Sequence, residues 1–241
     1  MVCMAMALCV SCKKDDDSSD SGGGNGGGEN TGGGTDITGT IAGHTYVDLG
    51  LPSGLLWATC NVGASKPEDY GGYYAWGETT TKDYYNWSTY KWCRCDGSGT
   101  KLTKYCPFPH AGTVDNRTTL ELADDVAHVK WGGAWRMPTC DELNELWYNC
   151  TLEWTTLNEK EGYRVIGPNG GSIFLPAAGS YYYSSLDCAG SEGGYWSSSL
   201  YTDDPNDAYV LGFGSGSGDV SMYSSSRIYG HSVRPVCPSQ N

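Results

Sequence analysis

The residues with chemistry to offer are eleven cysteines, four histidines and one dense run of acids. Cys3 and Cys9 fall in an apolar N-terminal stretch and Cys12 closes it, which leaves Cys60, Cys93, Cys95, Cys106, Cys140, Cys150, Cys188 and Cys237. An even count in an exported domain is compatible with disulfides, though spacing alone does not choose among the many pairings. A bridge from Cys93 or Cys95 to Cys106 closes a short loop and is the first pairing expected; buried thiols are the plainer alternative. Cys93-Arg94-Cys95 has one intervening residue, not the two of a zinc or redox pair. His44, His110, His128 and His231 are scattered, and no HExxH, phosphate loop or Ser/His/Asp order occurs. Catalysis is therefore not expected, and no cofactor is implied. Asp203-Asp204-Pro205-Asn206-Asp207 is the one oxygen-rich cluster. Asp203, Asp204, Asn206 and Asp207 have the hard oxygen ligands that suit calcium, and the same residues also read as a solvated acidic turn.

The strongest signal is compositional. From Gly179 to Ser232 there are 14 Ser, 8 Tyr and 9 Gly, and no Lys follows Lys160. Tyrosine supplies large amphipathic contact area at low entropic cost, and Ser and Gly supply adaptable hydrogen bonding, the chemistry of a binding surface. Tyr181, Tyr182, Tyr183, Tyr201, Asp203, Asn206, Tyr209, Tyr223, Tyr229 and His231 are the expected ligand-binding residues. Strand alternation turns some of these tyrosines into the core. Trp87 and Trp92, in a polar segment, are further exposed aromatics to consider.

The rest of the chain bounds what such a surface meets. The 241 residues carry a formal charge of −13 and a pI of about 4.5. Without a basic cluster the chain cannot neutralise phosphates, so nucleic acid is not expected as a partner. No apolar run is long enough to span a bilayer. Residues 1–12 read as a lipoprotein signal peptide with Cys12 acylated, so membrane contact is expected only through that lipid. Residues 13–39 read as a disordered, acidic, glycine-rich tether reaching about 30 Å. The Lys-Lys-Asp-Asp-Asp run after Cys12 resembles the export signal of surface lipoproteins, which implies an outer-membrane, lipid-anchored protein facing the cell exterior. Residues 40–241 form one domain by length.

Two helices are readable in that domain. Leu122, Ala123, Val126, Ala127 and Trp131 recur at helical spacing between Thr118 and Trp131, and Gly132-Gly133 stops them. Thr139-Cys140-Asp141-Glu142 is a capping box, followed by Leu143, Leu146, Trp147 and Cys150 along one face. Short strands are expected at 46–49, 55–59, 163–166, 172–175, 195–199, 208–213, 220–223 and 232–236. Gly167 to Gly171 reads as the turn of a hairpin. The pattern predicts an α+β domain with several short, mostly antiparallel strands and long loops.

Tyr46-Val47-Asp48-Leu49-Gly50-Leu51-Pro52-Ser53-Gly54 and Trp57-Ala58-Thr59-Cys60-Asn61-Val62-Gly63-Ala64 resemble the opening of the Fibrobacter succinogenes major paralogous domain. Tyr73 to Thr79, Trp131 to Thr139, Tyr195 to Ser199 and Ser232 to Val236 continue the likeness in order. The resemblance implies a C-type lectin-like fold, related to the formylglycine-generating enzyme, on a surface lipoprotein. Cys188 and Cys237 lie too far apart to form that enzyme's reactive pair. Within the resemblance, Pro205-Asn206-Asp207 is similar to part of a calcium-dependent sugar site, but the paired signature is absent. The function implied is adhesin-like binding of a surface glycan or protein. The alternatives are an assembly accessory of a surface complex and, with less support, a diversity-generating retroelement target.

Overall fold

The computed structural model describes residues 38–95, 100–215 and 220–239. The signal peptide, Cys12 and nearly all of the tether lie outside the described residues. Fourteen strands run in chain order: β1 (Gly39–Ile41), β2 (His44–Asp48), β3 (Leu55–Ala58), β4 (Cys93–Cys95), β5 (Thr100–Leu102), β6 (Thr151–Leu157), β7 (Lys160–Ile166), β8 (Ser172–Pro176), β9 (Ser180–Tyr182), β10 (Ser185–Asp187), β11 (Glu192–Leu200), β12 (Asp207–Gly214), β13 (Ser221–Ser226) and β14 (Val236–Pro238). Between β5 and β6 stand α1 (Val126–Trp131) and α2 (Cys140–Asn149).

The expected α+β, C-type lectin-like class does not hold. About 40 % of the described chain is strand and 11 % helix, in several small antiparallel sheets with two helices, one of them short. Two local departures produce the difference. The helix expected over Thr118–Trp131 breaks at Asp125: Leu122–Asp124 is a single 3₁₀ turn, and Asp125 then caps α1 by accepting from His128 N. Asp125 Oδ2 also accepts from Met137 N, so a buried carboxylate is used for a local crossing rather than for one long helix. Leu122 consequently stands 52 % exposed, off the face its spacing implied. The second departure is β6, which pairs along its length with β7 across Asn158-Glu159. Both turn residues have positive φ, as a tight two-residue hairpin requires, although only Asn158 is a usual occupant.

The capping box at Thr139 forms as expected, with Glu142 N donating to Thr139 Oγ1 and Thr139 N to Glu142 Oε2. Leu143 and Leu146 of α2 are buried against the sheet β11-β12-β13. That sheet is the centre of the domain. Alternation sends Tyr195, Leu211 and Phe213 into one apolar cluster with β6-β7-β8. Trp196, Ala208 and Val210 enter a second cluster on the opposite face, with Trp76, Tyr105 and Val126. A third sheet, ordered β1-β2-β3-β14, joins the first and last described strands of the domain through Val236 opposite Trp57.

Several glycines of the central sheet are seats for rings. A Cβ on Gly193 would lie 2.2 Å from the Phe213 ring, one on Gly194 2.4 Å from His231 Nδ1, and one on Gly212 2.0 Å from the Tyr223 ring. At Gly167 in the β7–β8 turn the obstacle is backbone instead, and a Cβ would stand 2.0 Å from Leu49 O. A carbonyl of the neighbouring segment cannot swing aside as a side-chain tip can. Gly167→Ala is therefore expected to lower stability by about 2–3 kcal/mol, measured as a shift of the urea midpoint at unchanged slope. A midpoint equal to that of the parent would contradict this packing.

Candidate functional site: an exposed tyrosine cluster

Strand β9 enters the site from the buried side. Tyr181 exchanges two backbone hydrogen bonds with Gly230, and its ring packs inward on Tyr73 at 4.9 Å and Tyr85 at 5.5 Å. Tyr182 points the other way by strand alternation and rests on Tyr229 at 4.8 Å. Alternation would return Tyr183 to the interior. Instead its φ is +52°, a left-handed conformation that costs a non-glycine residue about 1–2 kcal/mol. Two backbone hydrogen bonds with Tyr85 hold it there, of 2.8 and 3.0 Å. The Tyr183 ring is thereby turned outward, 4.3 Å from Tyr182 and 5.2 Å from Tyr84. Tyr84, Tyr182, Tyr183 and Tyr229 form a continuous row of rings, the first three of them 37–45 % exposed. A hydrogen bond with Tyr183, followed by burial, pushes the Tyr182 hydroxyl up to about 12, so it remains a neutral phenol at any physiological pH.

His231 lies beneath this surface. It is 3 % exposed, edge-on to Trp196 at 4.6 Å and 6.3 Å from Tyr229. Its Nε2 is 3.0 Å from Ser225 Oγ, and Nδ1 has no partner. Burial pushes its pKa down to about 3, so the ring is neutral and supports Tyr229 from behind. Arg227, fully buried two residues before Tyr229, binds elsewhere in the interior: its guanidinium lies over Trp76 and Tyr90 and donates to Tyr90 Oη, Lys104 O, Tyr105 O and Pro205 O.

The remaining residues expected at the site lie apart from the row. Tyr201 and Tyr209 make a separate edge-on pair at 5.3 Å, where the charge of Asp203 raises the Tyr201 hydroxyl. Tyr223 is 44 % exposed and lies over Gly212. In the acidic turn, Asp204 Oδ1 accepts from both Asn206 N and Nδ2 at 2.9 Å, and Asp207 Oδ2 accepts from Ser224 Oγ. Those carboxylates serve the turn itself, and among the described residues no group of three or more His, Cys, Asp or Glu is arranged to hold a metal. The expected bridge to Cys106 does not form: Cys106 is a buried free thiol whose Sγ donates to Phe108 O. Trp92 is half-buried and donates from Nε1 to Gly77 O.

Tyr84 was not among the expected site residues. Its neighbour Tyr85 is buried, and nothing local in the Tyr84-Tyr85 pair says which ring faces out; the bridge from Tyr85 to Tyr183 decides it.

Fold and site together define a mostly-β domain of small antiparallel sheets with a tyrosine cluster on its surface. The chain belongs to the Lcl C-terminal domain family, whose model matches residues 50–237. The match covers most of the motifs that resemble the major paralogous domain, without a specific tie to Fibrobacter succinogenes. Membership fits a surface or secreted protein. No curated protein and no solved structure matches the chain.

Proposed function

We propose that the domain is a non-catalytic recognition module that binds a glycan or a protein through Tyr84, Tyr182, Tyr183 and Tyr229. The observation that carries this reading is the row itself: four tyrosine rings in contact, three of them 37–45 % exposed. Tyr183 and Ser184 form the two-residue turn between β9 and β10, and the positive φ that this turn takes at Tyr183 also leaves its ring 41 % exposed beside Tyr182 and Tyr84. The two bonds between Tyr183 and Tyr85 and the buried His231 near Tyr229 hold the row, which lowers the entropic cost of binding. We further propose that acylation of Cys12 anchors the protein in an outer membrane facing the exterior, with residues 13–39 as the tether. Catalysis and a cofactor have no part in this reading.

The test is a glycan and extracellular-protein array probed with the full chain, with and without calcium. Replacing Tyr84, Tyr182, Tyr183 and Tyr229 by Ser is expected to weaken binding at least about tenfold, the scale of central aromatic anchors. Calcium is expected to make no difference. Binding retained within twofold in a folded variant would move the site elsewhere. A silent array together with a stably co-purifying partner would favour an assembly role.

A further inference from the structure

We propose that the tyrosine cluster accepts a cation, specifically the guanidinium of an arginine presented by a protein partner. The inference rests on the recognition reading above and gives it a ligand chemistry. The first argument is the shape of the row. Successive rings are inclined by 62° (Tyr84 to Tyr183), 61° (Tyr183 to Tyr182) and 58° (Tyr182 to Tyr229). A pyranose face stacks on a flat ring, and this surface is folded. In such edge-on and tilted contacts Tyr84, Tyr182 and Tyr183 stay 37–45 % exposed, and an exposed π face attracts a cation through its quadrupole.

The second argument is charge. Asp83 is exposed beside Tyr84, and Asp187 is exposed at the end of β10. Asp207 is half-buried at the start of β12, opposite Ser226, whose carbonyl accepts from Tyr229 N. The negative charges of Asp207 and Asp187 add to burial in raising the Tyr229 hydroxyl, so both acids are felt at the rings. Asp187 is held by Ser185 Oγ at one oxygen, Oδ1, and Asp207 by Ser224 Oγ at Oδ2.

The third argument is the distribution of the protein's own cations. Lys82, Lys91, Lys104, Lys130, Lys160 and Arg227 each lie over an aromatic ring, at 4.2–5.9 Å. Among the described residues none lies over Tyr84, Tyr182, Tyr183 or Tyr229. No Lys follows Lys160, Arg164 on β7 faces Glu153 on β6, and Arg227 and Arg234 are buried. The exposed cluster is therefore an aromatic site with acids around it and, among the described residues, no cation over its rings. Arginine fits it better than lysine, because a planar guanidinium stacks on a ring while donating hydrogen bonds at its edge to carboxylates.

The experiment uses the full chain and three immobilised probes: a Gly/Ser peptide bearing two arginines, the same peptide with glutamines in their place, and a panel of neutral oligosaccharides. The arginine peptide is expected to bind and the glutamine peptide not. Tyr182→Leu/Tyr183→Leu/Tyr229→Leu, which leaves the net charge unchanged, is expected to weaken binding at least tenfold. The corresponding Phe variant is expected to stay within threefold, because the rings and not the hydroxyls hold the cation. Asp187→Asn/Asp207→Asn is expected to weaken binding and flatten its salt dependence. Thermal melts establish that each variant is folded. An arginine peptide that binds the Leu variant as well as the parent would overturn the proposal, since general attraction to an acidic protein would then suffice. Neutral sugars binding at the cluster while the arginine peptide does not would overturn the cation and leave the recognition reading standing.

Discussion

Arg234→Met is expected to lower the free energy of unfolding by about 4 kcal/mol or more, a large share of the roughly 5–15 kcal/mol that holds a typical domain folded. The side chain is 1 % exposed. Its Nε donates to Asn61 Oδ1 at 2.9 Å, Nη1 to Ala58 O and Thr59 O, and Nη2 to Phe174 O at 2.8 Å. One guanidinium thus ties the end of β3 to β8 and to the loop after Thr59. Methionine fills much of the stem volume but leaves these buried acceptors without a donor, at about 1–3 kcal/mol each. No carboxylate pairs with Arg234 among the described residues, so the loss comes from orphaned acceptors rather than from a stranded counter-charge. Urea denaturation of the variant beside Arg164→Met, a half-exposed control expected within about 0.5 kcal/mol of the parent, measures it. A difference below about 1 kcal/mol between the two variants would mean that water replaces the guanidinium and that the clamp contributes little.

Acidification produces the second large effect, through His231. In the unfolded chain the imidazole titrates near 6.5, and in the folded protein burial moves it to about 3. As pH falls below about 6.5 the unfolded chain takes up this proton and the native state does not, so stability declines with pH until about pH 3. The contribution is about 2 kcal/mol between neutrality and pH 5, and about 5 kcal/mol once both states are protonated. Other groups titrate over the same range, so the informative quantity is the difference between the parent and His231→Gln. Stability curves of the two proteins are expected to converge by about 2 kcal/mol between pH 7 and pH 5. Parallel curves would show that the buried ring gains its proton by a local opening.

What could be read in advance follows the range of the interactions involved. The α2 cap was legible because Thr139 and Glu142 are three residues apart and satisfy each other. The hairpin β7–β8 was legible because its turn residues are contiguous. The break at Asp125 was not, since it depends on Met137 arriving from beyond α1 to use the same carboxylate. Strand β6 was not read as a strand because its turn uses Glu159 at positive φ, which no residue preference announces. The helical share of the fold was overstated for these two reasons. At the site, Tyr182, Tyr183 and Tyr229 came from composition and alternation, and the structure brings them together. Tyr201, Tyr209 and Tyr223 share that composition and stand elsewhere. Gly193, Gly194 and Gly212 are floors on which rings lie, a role set by the partner strand and by residues far along the chain, so nothing local announces it. Arg227 follows a serine run and Arg234 sits between Val233 and Pro235, and only distant acceptors make both interior residues.

The pairing of β14 with β3 imposes an order on the birth of the molecule. Residues 236–238 are translated after every other part of the domain, yet they supply the outer strand beside Leu55–Trp57. Until they emerge, β3 offers an open edge and Arg234 has not reached its carbonyls. A nascent chain therefore cannot complete this sheet from the front; its last pairing joins the most distant segments of the domain, the kind of contact that slows folding.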